Sequence, residues 1–196
     1  SGLTNQGTRA VAVGYEAGNL NQEDDATALG HQAGATEMGM ASVAVGNQAG
    51  NADQGNFSVA VGSEAGKTNQ GDSSVAVGCE AGNLNQKDES TALGFQAGAS
   101  EMGSSCVAVG HTAGNLNQGN FSTSVGASSG VTAQGAQAVA VGHLSGNADQ
   151  GVGAVAVGVS SGGAPFREPR PKGLCRRHGA PLGGNQPGDR GSGPRP

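Results

Sequence analysis

Ala10-Val11-Ala12-Val13-Gly14 is the stretch on which the fold turns, because it returns at a fixed interval along the chain. It reappears as Ala26-Thr27-Ala28-Leu29-Gly30, as Ser42-Val43-Ala44-Val45-Gly46, and onward to Ala154-Val155-Ala156-Val157-Gly158. The closing glycines are Gly14, Gly30, Gly46, Gly62, Gly78, Gly94, Gly110, Gly126, Gly142 and Gly158, each 16 residues after the one before. A second glycine column keeps the same step from Gly18 to Gly162. Ten copies in one register, with no insertion or deletion, put each copy at the same place in a stacked structure.

Counted from its first glycine, a copy reads Gly, x, x, Ala, Gly, x, x, x, Gln, Gly, x, x, Ser/Ala, Val, Ala, Val over positions 1 to 16. Positions 13 to 16 alternate small and large, the period of a strand. The β-branched columns at positions 14 and 16 suit a pleated, packed surface, and the reading takes them as a continuous narrow core. Glycines at positions 1, 5 and 10 mark corners where the chain turns. A helical reading fails because each of the two or three glycines per copy costs up to about 1 kcal/mol in a helix. The expected fold is all-β: a parallel β-solenoid of ten 16-residue coils over residues 1–162. At a strand spacing of about 4.8 Å, ten coils would span about 48 Å. The chain opens in mid-repeat, which suggests a segment of a longer array. Val75–Gly103 repeats Val11–Gly39 nearly residue for residue, so the array grew by duplicating a block of four coils.

Composition excludes an ordinary globule. The 196 residues include 38 glycines, no tryptophan, one tyrosine and four phenylalanines, too few large side chains for a compact core. Residues 1–162 carry a formal charge of −10 and residues 163–196 one of +5. An acidic body without basic stripes argues against nucleic acid as a partner. Cys79, Cys106 and Cys175 form no disulfide framework or metal-ligand spacing, and no apolar run is long enough to span a membrane.

Three columns carry the functional expectations. Position 15 is alanine in nine coils, Ala12, Ala28, Ala44, Ala60, Ala76, Ala92, Ala108, Ala140 and Ala156, with Ser124 in the tenth. A uniformly small face suits close approach by another sheet, so this column is expected to be a subunit contact; the bland reading is a coil so thin that both strand faces point inward. Position 2 is the variable column, and its Tyr15, His31, Phe95, His111 and His143 are the candidate partner-binding residues. His111 and His143 stand two coils apart, about 9–10 Å, too far to share a zinc ion, so no metal or other cofactor is expected. Position 9 is glutamine except at Met38 and Met102, and is expected to be a semi-buried structural column with amides linked along the stack. The Asx-rich loops Asn19–Asp25, Asn51–Asn56 and Asn83–Glu89 carry oxygen ligands, but they match no calcium-binding spacing and suit turns. Ice binding would call for outward threonine columns, whereas Thr27, Thr91 and Thr123 sit in the valine column. No catalytic constellation emerges, and an enzyme is not expected.

The Ser58-Val-Ala-Val-Gly62 and Ser74-Val-Ala-Val-Gly78 strands, closing at a glycine and stacked without a break, resemble the head repeats of trimeric autotransporter adhesins. The resemblance covers residues 1–162. It implies a left-handed parallel β-roll, a homotrimer, display at the cell surface and binding of host matrix or a cell-surface protein or glycan. The family's coils are commonly nearer 14 residues, and its stalk and membrane anchor have no counterpart in this sequence. The alternative is a structural spacer or shaft of a viral, phage or cell-surface fibre with no ligand of its own. After Gly162 the repeat stops and Pro, Arg and Gly dominate residues 163–196, which are expected to form a tail without a fixed fold. Codon degeneracy lets Gly184–Pro196, read one base out of frame, spell a near copy of Thr4–Gly14, so this tail is read as an out-of-frame product.

Overall fold

The computed structural model of the chain describes residues 1–162; the tail expectations lie outside the described residues. Each repeat contributes two three-residue strands, so the chain runs β1 (Thr4–Gln6), β2 (Val11–Val13), β3 (Leu20–Gln22), β4 (Thr27–Leu29) and onward to β19 (Ala148–Gln150) and β20 (Val155–Val157). The odd strands form one ten-stranded sheet and the even strands another, and every pairing is parallel with its neighbour one coil away. Val59 of β8 (Val59–Val61) pairs with Val75 of β10 (Val75–Val77), Ala60 with Ala76 and Val61 with Val77, in the 16-residue register of the sequence. This is a β-solenoid of ten coils.

What the coil encloses reverses the expected core. Alanines 28, 44, 60, 76, 92, 108 and 140 of position 15 are wholly buried, Ala156 nearly so, and Ala12 in the first coil packs against them. The valine, threonine and leucine side chains of positions 14 and 16 point outward, half-buried in the middle coils and more exposed at Val11, Val13, Leu29 and Leu93. The alanine column is therefore not a subunit contact. The lumen sets this arrangement. A Cβ placed on Gly50 would stand only 3.3 Å from the Ala44 Cβ, so the alanine column faces the glycines of position 5 with no room for another methyl. The rest of the lumen is filled by the alanines and serines of position 4, by the serines, alanines and Cys106 of position 13, and by position 9. Nor do both strand faces point inward, since the valine face is open.

The odd strands differ from ordinary strands in one respect. Their middle residue has a left-handed backbone, as at Asn21 (φ 51°), Asp53 (φ 55°) and Asn85 (φ 53°). That breaks the side-chain alternation: Gln22 turns inward to 1 % exposure, while Leu20, two residues earlier, stays outside at 40 %. Non-glycine residues also take left-handed conformations at positions 3 and 12, such as Gln32 (φ 52°) and Phe57 (φ 55°). Such backbone is uncommon outside glycine and carries a strain cost. Coil-to-coil hydrogen bonds hold it: Gln32 N–H donates to the Tyr15 carbonyl at 2.7 Å, and Phe57 N–H to that of Met40 at 2.9 Å. Position 10 departs from the expectation for its glycines, since Gly55 and Gly71 do not have positive φ; they allow close passage of the next coil's backbone.

The glutamine column is buried more deeply than expected, at 1–6 % exposure from Gln22 to Gln150. Its amides chiefly bridge the two sheets. Gln70 Nε2 donates to the Val59 carbonyl at 2.9 Å, and Gln86 Nε2 donates to the carbonyls of Val75 (2.9 Å) and Ser90 (3.1 Å). Amide-to-amide links occur at three steps, Gln6 to Gln22, Gln118 to Gln134 and Gln134 to Gln150. Met38 and Met102 fill the same volume at 1 % and 0 % exposure.

Candidate functional site

Two of the outward surfaces bear on the functional expectations. The first is the outer face of the even-numbered sheet. Positions 14 and 16 present two adjacent columns of Val, Leu and Thr along all ten coils, because strand alternation sends them opposite to the buried alanines. The sequence shows both columns, but a strand pattern does not say which of its two faces is inside. The signal that could have decided it was Gly at position 5, which leaves the lumen too narrow for valine.

The second surface is the variable column at position 2. It follows the glycines of position 1, whose φ of 118–137° turns the chain out of the even-numbered sheet. The structure brings its aromatic residues together in two pairs. The rings of Tyr15 and His31 stack with centroids 5.2 Å apart and planes 14° apart. Those of Phe95 and His111 stack at 5.1 Å and 26°. Each pair joins adjacent coils, and the pairs are five coils apart. His143 joins neither; its column neighbours are Ala127 and Val159. Tyr15 and Phe95 are 66 % and 43 % exposed, so the stacks stand on the surface.

Position 3 supports the first stack. The Glu16 carboxylate accepts a hydrogen bond from Gln32 Nε2 at 2.7 Å, and Gln48 Nε2 donates in turn to Gln32 Oε1 at 3.0 Å. Hydrogen bonding from Gln32 and Tyr15 holds the Glu16 carboxyl below its ordinary pKa. The same carboxylate, accepting from the Tyr15 hydroxyl, holds the phenol above its ordinary value.

The Asx-rich loops use their oxygens for stacking. Asp24 Oδ1 accepts the Thr8 N–H at 2.6 Å, Asp72 Oδ1 that of Asn56 at 2.7 Å, and Asp88 Oδ1 that of Asp72 at 3.0 Å. Asn51 and Asn83 donate from Nδ2 to the carbonyls of Gln32 and Glu64. Among the described residues no group of three or more His, Cys, Asp or Glu side chains is placed to hold a metal ion. Among the described residues no helix is long and apolar enough to cross a membrane.

Comparison with known protein families gives a match over part of the chain. Residues 23–49 match the YadA head domain repeat, in two copies, a stretch shorter than two full coils. Over that stretch the chain is similar to YadA head repeats. Neither the curated proteins nor the solved structures gave a significant match.

Proposed function

We propose that this array is the head segment of a trimeric, surface-displayed adhesin, with the outer face of the even-numbered sheet as the contact between three copies. The observation that carries this reading is the open valine face. Two largely β-branched columns run the length of the solenoid on one side, and water contact across such a face is unfavourable at about 25 cal/mol per Å² of apolar surface. Association of copies in register would cover it. The contact column thus shifts from the buried alanines to their neighbours, such as Val45, Val61, Val77 and Val109.

Trimerisation through that face leaves the variable column on the outside. Tyr15, His31, Phe95, His111 and His143 are then the candidate residues for a host matrix protein or a cell-surface glycan. Aromatic rings exposed on a rigid scaffold offer contact area at low entropic cost. A structural shaft without its own ligand is the second reading. The observation favouring it is the near-verbatim recurrence of Val11–Gly39 at Val75–Gly103, which lengthens the array by a repeated block.

Light scattering after size exclusion tests the assembly. A mass three times that of the chain is expected, falling to one for a chain carrying Val61→Glu and Val77→Glu. A monomeric parent chain would end the reading. Binding to immobilised matrix proteins and glycan arrays, lost on changing Tyr15, Phe95 and His111 to alanine, separates the adhesin from the shaft.

A further inference from the structure

Two tripeptides in the array have a chemistry that stacking does not use. Asn56-Phe57-Ser58 and Asn120-Phe121-Ser122 each present asparagine two residues before serine with a non-proline residue between, the acceptor pattern for N-linked sugar. Of the chain's 14 asparagines only these two stand in that pattern, at the same position of coils 64 residues apart.

The folded geometry divides the asparagine amide into a used half and an unused half. Asn56 Oδ1 accepts the Met40 N–H at 2.9 Å, and Asn120 Oδ1 accepts the Ser104 N–H at 3.1 Å. Neither Nδ2 has a hydrogen-bond partner among the described residues, and neither is among the buried unpaired atoms. Aspartates at the equivalent position, Asp24 and Asp72, satisfy the preceding coil through the same Oδ1. Where this position is Asp or Asn, stacking uses the side-chain oxygen, and at Asn56 and Asn120 it makes no use of the nitrogen. The central residues, Phe57 and Phe121, are 57 % and 61 % exposed, so the corner is open to solvent.

The serines are placed oppositely. Ser58 and Ser122 are wholly buried, and their hydroxyls donate to the carbonyls of Gly55 (2.7 Å) and Gly119 (2.6 Å). The Phe57 and Phe121 N–H groups are bonded to the preceding coil as well. A transferase that reads the serine hydroxyl cannot reach it in the stacked coil.

We propose that Asn56 and Asn120 are acceptors for an N-linked sugar, attached before their coils close and carried on the surface of the folded array. The donor is a glycosyl diphosphate. Asparagine Nδ2 attacks the anomeric carbon, the new C–N bond replaces the carbon–oxygen bond to the diphosphate, the diphosphate leaves, and one Nδ2 proton passes to a base of the transferase. Oδ1 keeps its lone pairs, so the bond to the Met40 or Ser104 N–H survives and the modified chain stacks as before. This holds whether the array is an adhesin head or a shaft.

The test is cell-free synthesis of the full chain with an asparagine glycosyltransferase present either during synthesis or only after folding. One arm supplies a nucleotide-diphosphate hexose with a soluble transferase; the other supplies membranes carrying a lipid-diphosphate oligosaccharide and its transferase. Peptide mass spectrometry reads occupancy. Sugar is expected at Asn56 and Asn120 when the transferase is present during synthesis, at least tenfold less when it is added afterwards, and the arm that modifies identifies the donor. Asn56→Asp with Asn120→Asp keeps the oxygen, and is expected to leave the circular dichroism unchanged while abolishing modification. Bare asparagines in both arms, equal modification of the folded chain, or a modified chain that no longer gives the β-sheet spectrum would overturn the proposal. So would unmodified Asn56 and Asn120 in chain recovered from the cells that make it.

Discussion

A Cβ on Gly62 would lie 2.6 Å from the carbonyl oxygen of Gly78, the corresponding glycine of the next coil. Gly62 also holds φ at +130°, a conformation costly for any side chain. The fixed glycine column is thus where successive coils come too close for a side chain. Gly62→Ala is expected to destabilise by about 2–4 kcal/mol, from backbone strain and displacement of the neighbouring coil. For a chain of this size that lowers Tm by about 5–10 °C, read by circular dichroism.

Ala44 and Val45 are sequence neighbours with opposite surroundings, one at 0 % exposure inside the lumen and one on the open face. Ala44→Val adds two methyl groups where a Gly50 Cβ would already crowd it, and overpacking of this kind costs about 1–3 kcal/mol. Val45→Ala is expected to change the melting of a dilute, dissociated chain by less than about 0.5 kcal/mol. Its effect should instead appear as weaker self-association by sedimentation equilibrium. A reversed ranking would put the valines back inside.

Gln70 Nε2 bonds the Val59 carbonyl, while its Oε1 is buried without a partner among the described residues. Replacing it with methionine loses a donor and removes an orphaned acceptor, and Met38 and Met102 already occupy the same place. Gln70→Met is therefore expected within about 1 kcal/mol of the parent by urea unfolding. Gln70→Ala empties the lumen and removes the bond to the Val59 carbonyl, with an expected loss of about 2–4 kcal/mol.

Arg9 and Asp25 form an exposed ion pair between neighbouring coils near the start of the array. Hydrogen bonding to Arg9 holds the Asp25 carboxyl below its ordinary pKa. A depressed pKa gives stability that is present above the usual aspartate range and lost as pH falls through the lowered value. Asp25→Asn is expected to speed hydrogen exchange of the first-coil amides a few-fold at neutral pH. The difference should vanish in acid below the depressed pKa.

The aromatic column was legible as a list of residues, but not as pairs. Tyr15 with His31 and Phe95 with His111 meet because parallel pairing in strict register sets position 2 of one coil directly over that of the next. His143 has no aromatic neighbour because Ala127 and Val159 flank it in the column. The deep burial of the glutamines was not legible, since it depends on the left-handed residue at position 8, such as Asn69 (φ 53°) before Gln70. No local pattern at that position marks it, as Asn, Asp, Glu and Ala133 all occur there.

The sequence by itself determined the coil length, the number of coils and the parallel register. Each follows from a 16-residue period kept through ten copies, since only identical units stacked in register preserve such spacing. Tertiary structure decided which face of Val59-Ala60-Val61 is inside. Alternation fixes that alanine and valine point opposite ways, but the width of the enclosed lumen selects between them. That width is set by glycine at position 5 and left-handed turns at positions 3, 8 and 12, contacts made across the coil rather than along it.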